Sequence, residues 1–495
     1  MVFSAFSVWS FVLIVAVLLF SLLLASTLKR FIPALEKSLI PSSVLGGIIL
    51  LIISTITYFA AGEYLFNMSI FSPMESEEAY TGMEVLELIT YHCLGLGFIA
   101  MGMRSSKKKF TKRRAGEVFD SGVITVSTYL LQAFFGIAIT MIAISAFHVS
   151  GLIDASGILL AFGFGQGTGQ ALNYGVIYED YGLEGGGNFG LTIAALGFLV
   201  ACIVGVIYMN VMRKKGKITI VKEEKKSELA DYEDENEIPV VASMDKFTVQ
   251  FAMVLIVYAV SYLIMAGLSA LLPSLENVLF GFNFLIGTLL TVPVKALLNK
   301  LQQKKIIKQQ IVNNFMMNRI GGFAFDLMIV SGVAAIQLPL LKDHWALLLI
   351  LAVVGAVITF VYVYLTSKTL FPGYVNEQFL AMFGMLTGTA STGIILLREI
   401  DGSYRSPASE NLVYQSLPAI VFGFPLMFLA TYACLGRTEC LITFAVIFLF
   451  FIVLNVILYR RQIFRKWLKK APCADADGQA DGAETTCDQS GDDKN

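Results

Sequence analysis

Two short polar stretches interrupt the long apolar segments of this sequence, and both combine glycine with hydroxyl side chains. The first is FGFGQGT, Phe162–Thr168, and the second is FGMLTGT, Phe383–Thr389. Glycine disfavours a regular helix and lets the backbone turn tightly beside a ligand. Hydroxyl and carbonyl oxygens suit a hard cation such as Na⁺, and free N–H groups at a helix start suit a carboxylate. Each stretch is therefore a candidate for holding a cation beside an anion.

Polar and glycine residues in and just after these stretches are the candidates for binding. For an organic substrate they are Gln166, Gly167, Thr168, Gln170, Asn173, Thr387, Gly388, Thr389, Ser391 and Thr392. For Na⁺ they are Gly165, Thr168, Asp326 and Thr389. Asp326 is included because an ionisable residue inside an apolar segment is a functional candidate, although it can also be hydrogen-bonded to neighbouring helices. Close helix packing through small residues is the alternative interpretation of both stretches.

Motifs of enzymes and of cofactor sites are absent from the sequence. A GxGxxG loop fails because Thr168 and Gln170 stand where glycines are needed, and no GK[ST] follows. No HExxH occurs, and the six cysteines show neither CxxC nor metal-site spacing. We therefore expect no enzyme activity, no cofactor and no nucleic-acid partner.

Composition places both stretches inside a membrane protein. The chain is 56% hydrophobic and 15% charged, against about 25% charged in soluble proteins. Its apolar runs have about 20 residues, the length that spans a bilayer. The predicted apolar segments are 8–27, 40–61, 84–103, 118–147, 152–178, 188–212, 247–271, 276–298, 313–338, 345–366, 373–398, 411–433 and 439–459. The sequence therefore predicts an all-α polytopic protein surrounded by membrane lipid.

The two halves of the chain repeat each other. FGFGQGT recurs as FGMLTGT at a separation of 221 residues, and PALEKSL at 33–39 recurs as PSLENVL at a separation of 240. Two matches in the same order argue for a duplication. The predicted division is 1–212 for the first repeat, 213–246 for a charged cytoplasmic linker, 247–435 for the second repeat, 436–470 for an extra transmembrane helix with a basic end, and 471–495 for a disordered acidic tail.

Charge predicts how these segments cross the membrane. Lys and Arg gather on the cytoplasmic side, and the basic segments are 26–37, 104–114, 213–217, 299–310 and 459–470. They all fall on one side if 152–178 and 373–398 are re-entrant, each entering and leaving by the same face. Each repeat then has five spans and one re-entrant segment, the second repeat is inverted, and one extra C-terminal span follows. The N-terminus lies outside and the C-terminus inside.

Three stretches resemble a known family. IPSSVLGG at 40–47, AFGFGQGTGQALNYG at 161–175 and FGMLTGTASTGIILLR at 383–398 are similar to the bacterial sodium/glutamate symporter family. The resemblance follows the order of segments over about residues 5–435. The chain departs from the family at Gln166, where members commonly carry histidine, and at Gln170 and Asn173, which replace small residues.

The resemblance implies Na⁺-coupled symport of glutamate or a related small carboxylate by elevator-like alternating access. It also implies a homodimer in the bacterial cytoplasmic membrane, in which a transport domain moves against a fixed scaffold. An ion channel or exchanger without organic substrate is the alternative, with the polar stretches as its filter. The residues that the resemblance places at the centre of the two sites are Gly165, Gly167, Thr168, Gly388, Thr389 and Thr392.

Overall fold

Helices dominate the described part of the protein. The computed structural model describes residues 6–37, 39–71, 80–104, 111–218, 245–273, 276–281, 283–306, 311–401 and 406–460. No strand occurs in these ranges. Nine of the described helices are long and apolar enough to cross a membrane, so the prediction of an all-α membrane protein is confirmed. The predicted tail and most of the predicted linker, 219–244, lie outside the described residues.

Helices α1 to α8 form the first half of the chain. They are α1 Phe6–Phe31, α2 Pro33–Lys37, α3 Ser42–Ala61, α4 Gly82–Met103, α5 Lys112–Phe147, α6 Leu159–Gln166, α7 Thr168–Glu179 and α8 Gly186–Lys214. Helix α5 begins before the apolar run at 118–147 because the Thr111 hydroxyl accepts a hydrogen bond from the Arg114 N–H at 3.3 Å. A side-chain cap thus extends this helix beyond its apolar part.

Helices α9 to α18 form the second half. They are α9 Lys246–Leu271, α10 Glu276–Gly281, α11 Asn283–Gln303, α12 Asn314–Ala334, α13 Trp345–Leu370, α14 Val375–Thr387, α15 Ala390–Arg398, α16 Ala408–Tyr414, α17 Ser416–Ala433 and α18 Arg437–Leu458. The predicted segment 411–433 is divided into two helices, which meet at Gln415. The Gln415 Oε1 accepts a hydrogen bond from the Thr125 hydroxyl of α5 at 2.7 Å. The Tyr91 hydroxyl of α4 donates to the Phe280 carbonyl at 2.7 Å, and the Asn283 amide donates to the Tyr91 carbonyl at 3.2 Å, so α4 is bonded to both α10 and α11.

The helices pack in two groups. We call α1–α4 and α9–α12 the first helix group, and α5–α8 and α13–α18 the second helix group. In the first group α4 packs on α11 and α12, and α12 also packs on α3. In the second group α5 packs on α6, α13, α17 and α18, while α8 packs on α6, α7, α13 and α14. The groups touch largely through α7, which packs on α4, α10 and α12.

Polar contacts identify the helix ends that lie together. We call the end with the start of α5 the basic end. Its contacts are Lys295–Arg104, Tyr374–Glu117, Arg114–Glu410 and Arg460–Asp120, at 2.9 to 3.2 Å. At the far end of α5 the contacts are Arg437–Ser145 at 2.8 Å and Glu184–Gly151 at 3.2 Å. The chain from 151 to 184 therefore begins and ends at the far end, whereas the chain from 374 to 410 begins and ends at the basic end.

Candidate functional site

Both predicted polar stretches are helix breaks. Helix α6 stops at Gln166 and α7 starts at Thr168, with Gly167 between them at a φ of 87°, a left-handed conformation that favours glycine. Helix α14 stops at Thr387 and α15 starts at Ala390. A Cβ added at Gly167 would lie 3.2 Å from Thr389 Cγ2, so the two breaks touch. Residues more than 200 positions apart in the sequence thus form one site.

Gln132 of α5 lies behind both breaks, and it is not among the candidates predicted from the sequence. Its Nε2 donates to the Leu386 carbonyl, near the end of α14, and to Thr359 Oγ1, both at 2.9 Å. Its Oε1 faces the first break, because a Cβ added at Gly165 would lie 3.1 Å from it. That oxygen is buried and has no hydrogen-bond partner among the residues the structure describes. A polar residue inside the apolar segment 118–147 was the available signal.

A cavity of about 770 Å³ runs between the two helix groups, from the basic end to the breaks. The two breaks of the second group line the deep end of the cavity. The first group contributes apolar side chains along the cavity and two basic residues at its mouth. The residues that define these parts are Gly165, Gln166, Gly388, Thr389 and Ala390 at the breaks, Phe98, Phe325 and Met328 on the first group, and Arg104 and Lys295 at the mouth.

The charged residues that line this cavity have one sign. Arg104 and Lys295 are its charged lining residues, and no Asp or Glu of the described ranges lines it. Helix α15 begins at the cavity with Ala390, which is exposed. Free N–H groups and the positive end of the helix dipole lie at such a helix start. The cavity is therefore suited to an anion that reaches the second break.

The remaining candidates of the first break lie at different depths. Thr168 and Gln170 are fully buried, and their side-chain polar atoms have no hydrogen-bond partner within the described part of the chain. Thr168 packs on α12, where a Cβ added at Gly332 would lie 3.0 Å from its Cβ. Asn173 lies farther along α7 and donates to the Gly281 carbonyl at 2.5 Å. Asn173 thus contacts the first helix group rather than the cavity.

The candidates of the second break are placed as follows. Thr387 is buried and donates to the Phe383 carbonyl at 2.8 Å, one helical turn back. Thr389 and Thr392 have their hydroxyls 3.4 Å apart. Ser391 lies in the first turn of α15, and its side chain is outside the described part. Asp326 does not line the cavity and lies near Ser43 of α3, so the structure does not bring this Na⁺ candidate to the breaks.

Neither the family models nor the curated proteins include a match to this chain. The resemblance to sodium/glutamate symporters stays a prediction from the sequence. The breaks and the cavity between the helix groups are the observations from which a function can be inferred.

Proposed function

We propose that this protein is a secondary active transporter that couples Na⁺ to the symport of glutamate or a related small carboxylate. The observation that carries the proposal is the meeting of two helix breaks at the end of a cavity whose charged lining residues are both basic. Breaks of this kind offer helix N-termini to an anionic substrate and backbone carbonyls to a cation. The family resemblance of the same two stretches supports the same class of cargo.

Two inverted repeats with opposed re-entrant segments form the proposed topology. The segment with α6 and α7 begins and ends at the far end of α5, and the segment with α14 and α15 begins and ends at the basic end. Assigning the basic end to the cytoplasm follows the positive-inside rule. With that assignment the protein lies in the bacterial cytoplasmic membrane with its cavity open to the cytoplasm.

Alternating access follows from the two helix groups. The second group carries both breaks, and the cavity separates part of it from the first group. We assign transport to the second group and the scaffold to the first, which gives an elevator-like movement of the breaks relative to α4 and α12. A homodimer through the scaffold stays a prediction from the family resemblance.

Coupling is assigned to the first break. Thr168 and Gln170 carry buried oxygens without a hydrogen-bond partner among the described residues, and a buried polar atom without a partner is unfavourable. A Na⁺ ion bound by such oxygens removes that penalty. Because the two breaks touch, bound Na⁺ raises carboxylate affinity, and bound carboxylate raises Na⁺ affinity by the same factor.

Uptake into proteoliposomes tests the proposal. We expect L-glutamate or a related carboxylate to accumulate when Na⁺ is outside and not when choline replaces it. A thermal-shift panel of amino acids and dicarboxylates should show a ligand that stabilises the purified protein only when Na⁺ is present. Equal uptake in choline would contradict Na⁺ coupling, and ion flux that needs no organic substrate would favour the channel or exchanger.

A further inference from the structure

The cavity mouth carries two cations, Arg104 and Lys295, that have no acidic partner in the part of the chain that the structure describes. Arg104 follows the last residue of α4, Lys295 lies on α11, and both are half-buried. The Lys295 ammonium donates to the Arg104 carbonyl at 3.2 Å, which fixes the two residues beside each other. Among the described residues neither forms an ion pair with a carboxylate. Partly desolvated cations without carboxylates favour the binding of an anion between them.

This pair lies too far from the breaks to share one small ligand with them. A Cβ added at Gly169, beside the first break, would lie 2.7 Å from Leu94 of α4. The Arg104 guanidinium donates to the Met101 sulfur at 3.7 Å, and Met101 follows Leu94 by seven residues, which corresponds to about 10 Å along a helix. The carboxyl carbons of glutamate are four C–C bonds apart, at most about 6 Å. An anion held at the mouth is therefore a separate ligand.

We propose that Arg104 and Lys295 form a second anion site, which binds a carboxylate before it reaches the breaks or after it leaves them. The choice of carboxylate as the ligand rests on the proposed function. Lys295 belongs to the first helix group and Arg104 directly follows α4 of that group, so the site stays with the scaffold while the breaks move. It concentrates anions at the mouth and accelerates their exchange with the breaks at this face.

Charge-selective labelling tests the site without any transport. Asn299 lines the mouth and is exposed, so Asn299→Cys gives a thiol within reach of the two cations. The background replaces Cys473 and Cys487 by Ser, while Cys93, Cys202, Cys434 and Cys440 are buried. We expect an anionic methanethiosulfonate to react faster than a cationic one. Lys295→Gln should lower that rate ratio about five-fold, and Arg104→Gln should lower it similarly.

A matched control separates the site from general surface charge. Lys368 of α13 is exposed and does not line the cavity, so Lys368→Gln should leave the ratio unchanged. Lys295→Arg keeps the charge and should keep the ratio, which excludes a folding defect as the cause. Excess L-glutamate should slow anionic labelling of Asn299→Cys, and Lys295→Gln should remove this protection.

Two results would overturn the second anion site. One is an unchanged rate ratio in folded Lys295→Gln and Arg104→Gln proteins, and the other is an equal decrease in Lys368→Gln. Neither result depends on Na⁺-coupled uptake, which the choline experiment tests separately. If uptake is Na⁺-dependent and the ratio is unchanged, the second site is wrong and the transporter stands. If the ratio falls but no uptake occurs, the site stands and the transporter is wrong.

Discussion

At the scale of the residue, Gln132 joins the two breaks through one side chain. Its amide nitrogen holds the Leu386 carbonyl, and its oxygen faces Gly165. Gln132→Met keeps a similar volume but leaves a buried carbonyl without this donor. Loss of such a hydrogen-bond donor costs about 1–3 kcal/mol. Because the Leu386 carbonyl lies near the end of α14, we expect the geometry of the second break to change. We expect maximal uptake to fall about ten-fold or more in a protein that still purifies as folded.

Gln250 of α9 provides the matched control for Gln132. It is also buried, and its amide donates to the Ile311 carbonyl at 2.7 Å and accepts from the Asn313 N–H at 3.0 Å. Gln250→Met should lower thermal stability and leave the Na⁺-dependent stabilisation by substrate intact. The assignment of Gln132 to the breaks is wrong if both variants affect uptake equally.

Thr168 provides the residue-scale test of Na⁺ coupling. Its hydroxyl is buried without a described partner, so Thr168→Val, which keeps the shape, should not reduce thermal stability. We expect the Na⁺ concentration for half-maximal uptake to rise about ten-fold, which corresponds to about 1.4 kcal/mol of binding free energy. The control is Thr140→Val, at another buried threonine whose hydroxyl donates to the Gly136 carbonyl at 3.0 Å. This substitution should leave the Na⁺ dependence of uptake unchanged. Unchanged Na⁺ dependence in Thr168→Val would remove this hydroxyl from the cation site.

At the scale of the element, a polar network at the basic end holds α14 and α16 against α5. The Tyr374 hydroxyl, just before α14, donates to Glu117 Oε2 of α5 at 2.9 Å and accepts from the Asn411 amide of α16 at 3.1 Å. Arg114 of α5 pairs with Glu117 and, at 3.2 Å, with Glu410 of α16. The network fixes both ends of the segment that carries the second break.

Stability should therefore depend on Tyr374. Tyr374→Phe should lower the free energy of unfolding by about 1 kcal/mol, and the same change at the exposed Tyr432 should have no effect. Burial raises the pKa of Tyr374 to about 12, above an unfolded value of about 10. The protonated form is thus favoured in the folded protein, and its contribution is present below pH 10 and lost as pH rises toward 12. Thermal unfolding between pH 8 and 11 should show a larger loss in the native protein than in Tyr374→Phe.

The elements were largely predictable from the sequence, and their contacts were not. Glycine and hydroxyl residues inside apolar segments marked both breaks, because a regular helix does not favour that composition in a membrane. The division between α16 and α17 has no such local signal, since the Gln415 side chain at this point is hydrogen-bonded to Thr125 of another helix. Gln132 was missed for the same reason, because its partners on α13 and α14 are more than 200 residues away. Asn173 was assigned to the ligand from its polarity, and its position on α7 directs it to Gly281 instead.

At the scale of the whole molecule, the two helix groups must move relative to each other if the protein is a transporter. The hydrogen bond from Asn173 of α7 to the Gly281 carbonyl of α10 joins the groups away from the cavity. A Cβ added at Gly281 would lie 3.3 Å from the Asn173 amide nitrogen, so cysteines at these positions lie within reach of a short bis-methanethiosulfonate cross-linker. A cross-link there would fix the groups in the arrangement seen in the structure.

Cross-linking the Asn173→Cys/Gly281→Cys protein, without Cys473 and Cys487, should abolish uptake, and a reductant should restore it. The control is Ser145→Cys/Arg437→Cys, treated with the same reagent, whose native side chains are hydrogen-bonded at 2.8 Å within the second helix group. A cross-link there does not link the groups and should leave uptake unchanged. A channel passes ions through a fixed pore, whereas alternating access requires the breaks to exchange sides. Full uptake by the cross-linked Asn173→Cys/Gly281→Cys protein would therefore contradict the elevator-like movement and favour the channel. Loss of uptake that a reductant reverses, in this pair and not in the control pair, follows only if the second group moves against the first.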